Sequence, residues 1–289
     1  MVIIYTNLNQ DFEMMGKLFI VATPIGNLND ITYRAIEVLK SVDIVLAEDT
    51  RHSKKLFAHF EISTPLKAFH EHNEREKTES VISELNSGIS IALISDAGTP
   101  LISDPGYFLV SQAKKEGIEV VPIPGPSAII TALSASGLAS NSFSFFGFLP
   151  SKKIARIKYL HNKTALNETI IFYESPKRIL ATLTDMLEVF GSERKVCLAK
   201  ELTKSFETIR TDKIEHLIEY LTTDLAHQKG EFVILISSTD KIDLIDAENQ
   251  LGKILPILCA EMGASKAAKL AAKITGIDKK HCYNKAIEL

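Results

Sequence analysis

Short apolar runs alternate with amphipathic segments of helical period through the first half of the chain. Each run is followed by small or polar residues and then by apolar residues three or four positions apart, which indicates a strand, a loop and a helix. Repeated units of this kind predict a mostly parallel sheet with right-handed crossovers. We therefore predict an α/β domain over residues 17–137, with strands at 18–22, 43–47, 66–69, 91–94 and 119–121.

Further along the chain the apolar runs are fewer and the stretches between them are longer, which favours a mixed sheet. A second α/β domain is predicted over residues 143–238, after a short linker at 138–142. It opens with the apolar run 143–148, and its strands are predicted at 169–173, 195–199 and 231–236.

The two ends of the chain have different patterns. Residues 247–289 carry no strand pattern and predict a small helical C-terminal module of three short helices, in which Ser265 suits a helix start and Gly276 a helix end. Residues 1–16 show no clear period and are expected to be an N-terminal extension. The predicted architecture is thus two α/β domains followed by a helical tail.

The composition, 45% hydrophobic and 24% charged residues, is typical of a soluble globular protein. No apolar run approaches the roughly 18 residues that cross a bilayer, and no basic segment followed by an apolar one opens the chain, so we expect a cytoplasmic protein without a membrane partner. The three cysteines are too few and too far apart for a disulfide framework or a zinc site.

Two predicted strand-to-helix turns, at 95–106 and 122–128, have the chemistry of a ligand site. Both would lie at the carboxyl edge of the sheet, where open α/β sheets bind ligands. Asp96 directly follows a strand, and Gly98 leaves backbone that a ligand can approach closely. Pro126 presets the next helix, whose first amides are free for an anionic group. Asp104 reads as a helix N-cap. The alternative is two stiff turns without a ligand.

Other strand ends carry clusters of ionisable groups. Glu48, Asp49 and Arg51 follow the second strand, and Glu174, Lys200 and Glu201 follow strands of the second domain. They are candidates for an active-site wall, although caps and ion pairs would look the same. The pair His70 and His72 lacks a third ligand nearby, so a helix start is favoured and no metal site is predicted. The sequence contains neither a P-loop nor a dinucleotide fingerprint.

The net charge of -3 does not indicate a nucleic-acid binder, so local basic patches would have to serve that role. The segment 151–163 has no acidic residue and contains Lys152, Lys153, Arg156 and Lys158. In the tail, Lys266, Lys269 and Lys273 share one helix face, and two short helices around a Gly turn resemble a helix-turn-helix. Polyanion binding and solvated faces are both open interpretations.

Six segments occur in an order and spacing that resemble a known family. They are VATPIGNLNDIT (21–32), LAEDTRHS (46–53), SDAGTPLISDPG (95–106), PIPGPSA (122–128), FFGFLP (145–150) and FYESPKRI (172–179). Together they resemble the small-subunit ribosomal RNA methyltransferase I branch of the tetrapyrrole methylase superfamily, the class III methyltransferases. The resemblance covers residues 17–237 and extends in type to the tail.

This resemblance implies S-adenosylmethionine-dependent 2′-O-methylation of a cytidine in small-subunit (16S) ribosomal RNA, either as naked RNA or in the assembled small ribosomal subunit. It also implies a homodimer in which each protomer holds the cofactor in a cleft between its two domains. Carried over by position, the cofactor-binding residues are Pro24, Asp96, Gly98, Thr99, Ser127, Ala128 and Tyr173.

The catalytic residues are a hypothesis from chemistry alone. A sugar hydroxyl is a poor nucleophile at neutral pH, so a base or a cation beside the oxygen should help. We expect Asp49 or Glu201 to handle the proton, and Arg51 and Lys200 to place a phosphate or an oxyanion. The alternatives are a methyltransferase of the same fold acting on a tetrapyrrole or a modified protein residue, and a non-catalytic RNA-binding protein.

Overall fold

The computed structural model describes residues 15–238 and 241–289, with the backbone alone for 241–247 and 249. The N-terminal extension predicted for 1–16 therefore lies outside the described residues, except for Met15 and Gly16. The amide of Gly16 donates to the carbonyl of Leu85 at 2.8 Å, so the described chain is already attached to the first domain where it begins.

The first domain is built on a five-stranded sheet in which each neighbouring pair is parallel. Its strands, in the spatial order β3-β2-β4-β1-β5, are β1 Leu18–Val21, β2 Ile44–Ala47, β3 Leu66–Ala68, β4 Ile91–Ile94 and β5 Val120–Ile123. Central β4 reads IALI and all four residues are buried, because helices cover both faces of a parallel sheet. The predicted parallel sheet is confirmed.

The described part of the first domain has five helices, and the first four pack on the two faces of this sheet. They are α1 Tyr33–Ser41, α2 Thr50–His59, α3 Glu74–Asn86, α4 Tyr107–Lys115 and α5 Ala128–Ala135, with a short 3-10 helix at Leu28–Asp30. One face of the sheet buries a cluster that includes Leu39 and Phe57, and the other buries one that includes Phe69 and Leu85. All the loops that follow the five strands therefore meet at one edge.

The second domain is a mixed sheet, as predicted, in which β6 and β7 are parallel and the other pairs antiparallel. In the order β6-β7-β10-β8-β9, its strands are β6 Phe143–Phe148, β7 Thr169–Glu174, β8 Lys195–Lys200, β9 Thr208–Lys213 and β10 Phe232–Ile236. Strand β9, which the sequence did not predict, reads TIRTDK and lies at the sheet edge with no buried residue. A half-exposed edge strand needs no apolar run.

The two faces of the second sheet have different neighbours, because side chains alternate along each strand. Phe172, Leu198 and Ile234 pack in the cluster that also holds residues of α6 Lys153–His161, α7 Ile179–Phe190 and α8 Ile214–Thr223. Ile171, Cys197 and Leu235 instead pack against Ile129, Ala132 and Leu133 of α5. A helix of the first domain thus covers the second sheet, and the two domains share an apolar core.

The tail consists of α9 Lys241–Glu261, α10 Ala264–Thr275 and α11 Lys279–Ile287, around a small core that includes Leu251, Ala267 and Cys282. The prediction of three short helices is wrong for α9, which has 21 residues. Ser265 is not the cap of α10, because that helix begins one residue earlier, after Gly263. Gly276 does end α10, in the left-handed conformation that glycine favours. No described helix is both long and apolar enough to span a bilayer.

Arg156, predicted to bind RNA, is instead a buried structural residue. Its side chain is 4% exposed, and its Nε and Nη2 donate to Asp185 Oδ2 at 2.7 and 2.6 Å. Asp185 belongs to α7 and is 2% exposed, so the pair joins α6 to α7. A residue so placed cannot contact a surface ligand, and the prediction for Arg156 is corrected.

We predict that Arg156→Ala lowers the free energy of unfolding by about 3–5 kcal/mol, since it leaves the carboxylate of Asp185 buried without its partner. Lys158→Ala, which removes a positive charge from an exposed position of the same helix, should change it by less than about 0.5 kcal/mol. Urea-induced unfolding measures both. An equal effect of the two substitutions would contradict the structural role of Arg156.

Candidate active site

A cavity of about 460 Å³ lies between the carboxyl edge of the first sheet and the second domain. This volume is typical of pockets for small organic ligands. The first domain lines it with Ile25, Glu48, Asp96, Gly98, Thr99, Asp104, Ser127 and Ala128, and the second domain with Phe148, Tyr173, Ser175, Leu202 and Val233. The cavity thus lies at the interdomain cleft that the resemblance implies.

The predicted turns meet in this cleft through a small set of hydrogen bonds. Thr23 and Gly98 exchange two backbone hydrogen bonds, at 2.9 and 3.0 Å, which join the loop after β1 to the turn after β4. Gly98 has a φ of 82°, a conformation that glycine adopts readily. Thr99 Oγ1 donates to the carbonyl of Pro126 at 3.0 Å, which joins the same turn to the start of α5.

The two domains also touch directly beside the cleft. The amide of Asn27 donates to Thr203 Oγ1 at 3.1 Å. A Cβ atom built on Gly26 would lie 2.5 Å from Lys204 Cγ, closer than any real Cβ contact. The loop after β1 therefore packs tightly against the loop after β8, and a glycine is required at Gly26.

Asp104 faces the cavity because another residue caps α4. The sequence predicted Asp104 as the N-cap, but the helix begins after Gly106. Glu74 Oε1 accepts from the amides of Gly106, Phe108 and Leu109 at 3.1, 2.9 and 3.3 Å. The intervening loop has positive φ angles at two non-glycine residues, Leu101 (73°) and Ser103 (67°). Such backbone persists where the surroundings hold it, and it is frequent at functional sites.

Among the described residues, five carboxylates line this cavity. Glu48, Asp96 and Asp104 come from the first domain, and Glu174 and Glu231 come from the second, where they pair with Arg178 and Lys204. Asp96 Oδ1 accepts from the amide of Asp49 at 2.9 Å, which holds the Asp96 carboxylate in place. Burial and, next, the charge of Asp96 raise the pKa of Glu48. Burial and the charge of Glu48 raise the pKa of Asp104 to about 6. No Lys, Arg or His is among the described residues that line it, so the cavity favours a positively charged ligand.

Tyr173 brings the second domain into the same electrostatic environment. Burial and the nearby Asp104 raise the pKa of its hydroxyl to about 12, so the phenol stays protonated. Its ring packs edge-on against Phe145, with centroids 4.8 Å apart, and tilts against Phe148 at 5.6 Å. At the opposite wall, Ser127 makes no side-chain cap to α5, which leaves the first amides of that helix for an anionic group of a ligand.

Six of the seven predicted cofactor residues line this cavity. Asp96, Gly98, Thr99, Ser127, Ala128 and Tyr173 line it, while Pro24 lies between the bridge residue Thr23 and the lining residue Ile25. Sequence reasoning missed Asp104, Ser103, Phe148 and Ser175. Asp104 carried a signal, because it is a second acid in the same turn, but its place before a proline gave it a simpler explanation as a cap.

The four predicted catalytic residues do not line this cavity. Asp49 caps α2 through the amide of Arg51 at 2.8 Å, and its second oxygen pairs with the exposed Arg51 guanidinium at 2.8 Å. These hydrogen bonds lower the pKa of Asp49, so its carboxylate is a poor proton acceptor. The geometry does not support proton transfer by Asp49 or oxyanion placement by Arg51.

Lys200 and Glu201 face a different part of the molecule. Lys200 is two residues after Leu198 in β8, so both side chains lie on the face of the sheet that the helices cover. There the Nζ of Lys200 donates to the carbonyl of Ala226 at 2.8 Å. Glu201 Oε1 accepts from Lys204 Nζ and from the amide of Glu231. Burial opposes these hydrogen bonds, but together they lower the pKa of Glu201. Neither residue is placed to act on a group in the cleft.

Glu174 is likewise structural, because it is buried and accepts from Thr182 Oγ1 and from Arg178 Nη2, both at 2.7 Å. His70 Nε2 lies 3.0 Å from the side-chain nitrogen of Asn73, just before the start of α3. Among the residues whose side chains the structure describes, no group of three or more His, Cys, Asp or Glu is placed to hold a metal ion.

The predicted RNA-binding lysines are accessible. Lys152 and Lys158 are exposed at α6, and Lys153 is 62% exposed while lying 3.7 Å from Asp185 and 3.6 Å from Glu188. Lys266, Lys269 and Lys273 are all exposed along α10, opposite the buried Ala267 and Ala271. RNA binding by these lysines stays a prediction.

Comparison with known proteins gives this chain a family. The model "Tetrapyrrole (Corrin/Porphyrin) Methylases" matches residues 17–218, and the model "RsmI C-terminal HTH domain" matches residues 245–289. "Ribosomal RNA small subunit methyltransferase I" of Vibrio cholerae is 52% identical over 271 residues, covering 94% of each chain. The protein of the same name in Pseudomonas aeruginosa is 51% identical over 277 residues, covering 94% of this chain and 97% of the relative.

Among solved structures, the fold is similar to that of uroporphyrin-III C-methyltransferase from Thermus thermophilus complexed with S-adenosyl homocysteine. The TM-score is 0.53 at 15% identity, and the match covers 76% of this chain and 97% of the other. At this identity the match supports the fold alone.

We predict that Asp104→Asn stabilises the ligand-free protein at neutral pH. The pKa of Asp104 is about 6 in the folded protein and about 4 in the unfolded chain, so the folded state holds an extra proton between these values and loses stability as the pH rises through them. Asparagine removes this cost, which is about 1 kcal/mol after allowance for solvent screening. Urea unfolding should show the gain at about pH 8 and its disappearance at about pH 4.

The control for this measurement is Asp30→Asn, an exposed aspartate in the 3-10 helix at Leu28–Asp30. It should change stability by less than about 0.5 kcal/mol at both pH values. A loss of stability in Asp104→Asn at about pH 8 would show that the ionised Asp104 carboxylate does not destabilise the folded protein.

Proposed function

Because this chain belongs to the tetrapyrrole (corrin/porphyrin) methylase family and, within it, groups with the ribosomal RNA small subunit methyltransferase I proteins, we propose that it is a methyltransferase of small-subunit ribosomal RNA. The proposed reaction transfers the methyl group of S-adenosylmethionine to the 2′-hydroxyl of a cytidine. The substrate is the RNA itself or the assembled small ribosomal subunit, and the compartment is the cytoplasm.

The observation that carries the proposal is the acidic cavity at the interdomain cleft. S-adenosylmethionine has a positively charged sulfonium and a zwitterionic amino-acid end. Glu48, Asp96 and Asp104 suit its positive charges, and the free amides at the start of α5 suit its carboxylate. The described residues therefore fit this cofactor, and they would not suit a polyphosphate.

The residues that would hold the cofactor are the lining residues Asp96, Gly98, Thr99, Ser127, Ala128 and Tyr173, joined by Asp104. When bound, S-adenosylmethionine supplies a methyl group already activated for transfer. The main task of the protein is then to orient the ribose oxygen and to exclude water. Ile25, Phe148, Leu202 and Val233 supply apolar walls for that purpose.

Removal of the hydroxyl proton falls to a carboxylate that faces the cavity. Glu48 and Asp104 meet this condition, and their raised pKa values make them better proton acceptors than an ordinary carboxylate. Asp49 and Glu201 do not meet it, because hydrogen bonds lower both pKa values and neither residue lines the cavity. The proposal therefore replaces the two earlier candidates by Glu48 and Asp104.

Exposed lysines are proposed to bind the RNA, although the net charge of the protein is negative. Lys266, Lys269 and Lys273 form one face of α10 in the segment that matches the helix-turn-helix model. Lys152, Lys153 and Lys158 add charge at the start of the second domain. Phosphate contacts from such residues position an RNA without selecting its sequence. The resemblance further suggests a homodimer, which sedimentation velocity would test.

The test of the function uses small ribosomal subunits that lack the modification. Incubation with the purified protein and S-adenosylmethionine labelled in its methyl group should label one cytidine ribose, which nuclease mapping identifies. We predict that Asp104→Asn binds the cofactor about 10–100-fold more weakly in calorimetry, since a hydrogen bond to a charged group is worth about 1.5–3 kcal/mol. The control Asp30→Asn should bind like the wild type.

The outcomes separate the proposal from its alternatives. Failure to bind S-adenosylmethionine would favour a non-catalytic RNA-binding protein. Cofactor binding with labelling of a tetrapyrrole or a protein side chain, and no labelling of RNA, would favour a methyltransferase of the same fold with another substrate.

We also predict a role for the α10 lysines in subunit binding. Replacing Lys266, Lys269 and Lys273 by alanine should weaken binding to small subunits and lower the slope of log affinity against log salt by about 2–3, since each phosphate contact contributes about 0.9. Replacing the exposed Lys40, Lys114 and Lys115 removes the same charge from the first domain and should leave the slope nearly unchanged. Titrations of labelled subunits at several salt concentrations measure it, and equal slopes in the two triple variants would exclude α10.

A further inference from the structure

A second cavity, of about 570 Å³, lies beside the cleft in the second domain. Its walls include Lys200 and Glu201 at the end of β8, Phe206 in the following loop, and Tyr220 and His227 around the end of α8. The two cavities share a wall. Leu202 and Glu231 line the cleft, whereas their neighbours Glu201 and Gly230 line the second cavity.

Lys200 gives this cavity a buried positive charge. The residue is 8% exposed, and its ammonium makes one hydrogen bond, to the carbonyl of Ala226 at 2.8 Å. Among the described residues no carboxylate lies within 4.0 Å of it. A buried ammonium has three protons to donate and is unfavourable without a counterion. An anion in the cavity would satisfy the remaining donors of Lys200.

None of the acidic residues that line the cavity bonds the Lys200 ammonium, and each accepts hydrogen bonds from other groups, although Glu201 is close enough to attract it electrostatically. Glu201 accepts from Lys204 and from the amide of Glu231. Glu207 accepts from the amide of Thr203 at 2.6 Å, and Asp224 from the amide of Ala226 at 2.8 Å. Lys229, exposed at the rim, adds a second cation.

Aromatic rings form the other side of the cavity. Tyr220 and His227 stack with their centroids 3.9 Å apart and their planes at 17°. The Arg210 guanidinium lies 4.8 Å from the Tyr220 centroid. Phe206 is 78% exposed although it is a large apolar side chain. Flat rings beside lysines are the combination with which proteins hold the bases and phosphates of single-stranded nucleic acid.

We propose that this second cavity binds one nucleotide of the RNA strand that enters the cleft, next to the nucleotide that is methylated. Lys200 and Lys229 contact its phosphate, and Phe206 and the stacked pair Tyr220 and His227 contact its base. The inference rests on the proposed function, since it takes the strand to be the same RNA. It gives Lys200 a binding role in place of the catalytic role that the sequence suggested.

The loop between the two cavities supports a continuous strand path. Glu201 and Thr203 both have positive φ angles, 50° and 65°, although neither is glycine. Thr203 Oγ1 accepts from the amide of Asn27 in the first domain. This strained loop is thus held by a hydrogen bond from the first domain, and it contributes Leu202 to the cleft and Phe206 to the second cavity.

The test uses a fluorescently labelled single-stranded hexacytidylate and measures its binding by anisotropy. The double substitution Phe206→Ala with Lys229→Ala removes two exposed side chains, so the protein should fold. We expect it to bind the hexanucleotide at least 10-fold more weakly, with unchanged affinity for S-adenosylmethionine. Lys200→Met should weaken binding similarly if circular dichroism shows it folded. The matched control is Tyr33→Ala with Lys40→Ala, an exposed aromatic and lysine on α1, which should bind like the wild type.

Each other outcome overturns the inference. Unchanged hexanucleotide affinity in the double variant would show that the cavity does not hold RNA. Equal affinity of the protein for free cytidine monophosphate and for the hexanucleotide would show that the second cavity binds a free mononucleotide and not part of an RNA strand. A change of sedimentation coefficient in the variant would assign the surface to a protein contact. If the wild type labels no RNA in small subunits, the proposed function itself fails. If it labels RNA and the variants bind normally, only this cavity is misassigned.

Discussion

The packing of α5 against the second sheet is the interaction on which the rest of the structure depends. Its sequence, AIITALSA, is mostly apolar, and Ile129, Ala132 and Leu133 are buried while Ile130 is 53% exposed. Ile129, Ala132 and Leu133 bury themselves against strands of the other domain, and full burial of a side chain the size of leucine is worth about 1.5–3 kcal/mol. The same helix begins with Ser127 and Ala128 at the cavity, so one apolar contact fixes both the domain pair and the cleft.

Local sequence patterns predicted the elements well, because periodicity and turn residues are local properties. They failed where a distant residue decides the outcome. Asp104 looks like a cap until Glu74, thirty positions earlier in the chain, is seen to bond the amides of α4. Arg156 looks like a surface cation until α7 brings Asp185 beside it. Strand β9 escaped notice because an edge strand with polar residues on both faces has no apolar signature.

The placement of the cleft was predictable, whereas its electrostatics were not. Strand ends in a parallel sheet meet at one edge whatever their sequence, so the convergence of the two turns follows from the βα pattern. Which acids face the cavity depends on side-chain direction. The Asp49 side chain points to Arg51, whereas the Glu48 side chain points into the cavity. Lys200 lies on the same face of its strand as Leu198, which is the face away from the cleft. The crowding of like charges is unfavourable in the empty cleft and becomes favourable when a cation enters.

The apolar core shared by the two domains has a kinetic consequence. Since Ile129, Ala132 and Leu133 of α5 are buried against the second sheet, the two domains cannot swing apart as a hinge without breaking that core. A small ligand must then reach the cavity through its existing mouth, and a long polymer lying across that mouth would block it. Binding is therefore expected to be ordered, with the small molecule first and the polymer second, and release should follow the reverse order.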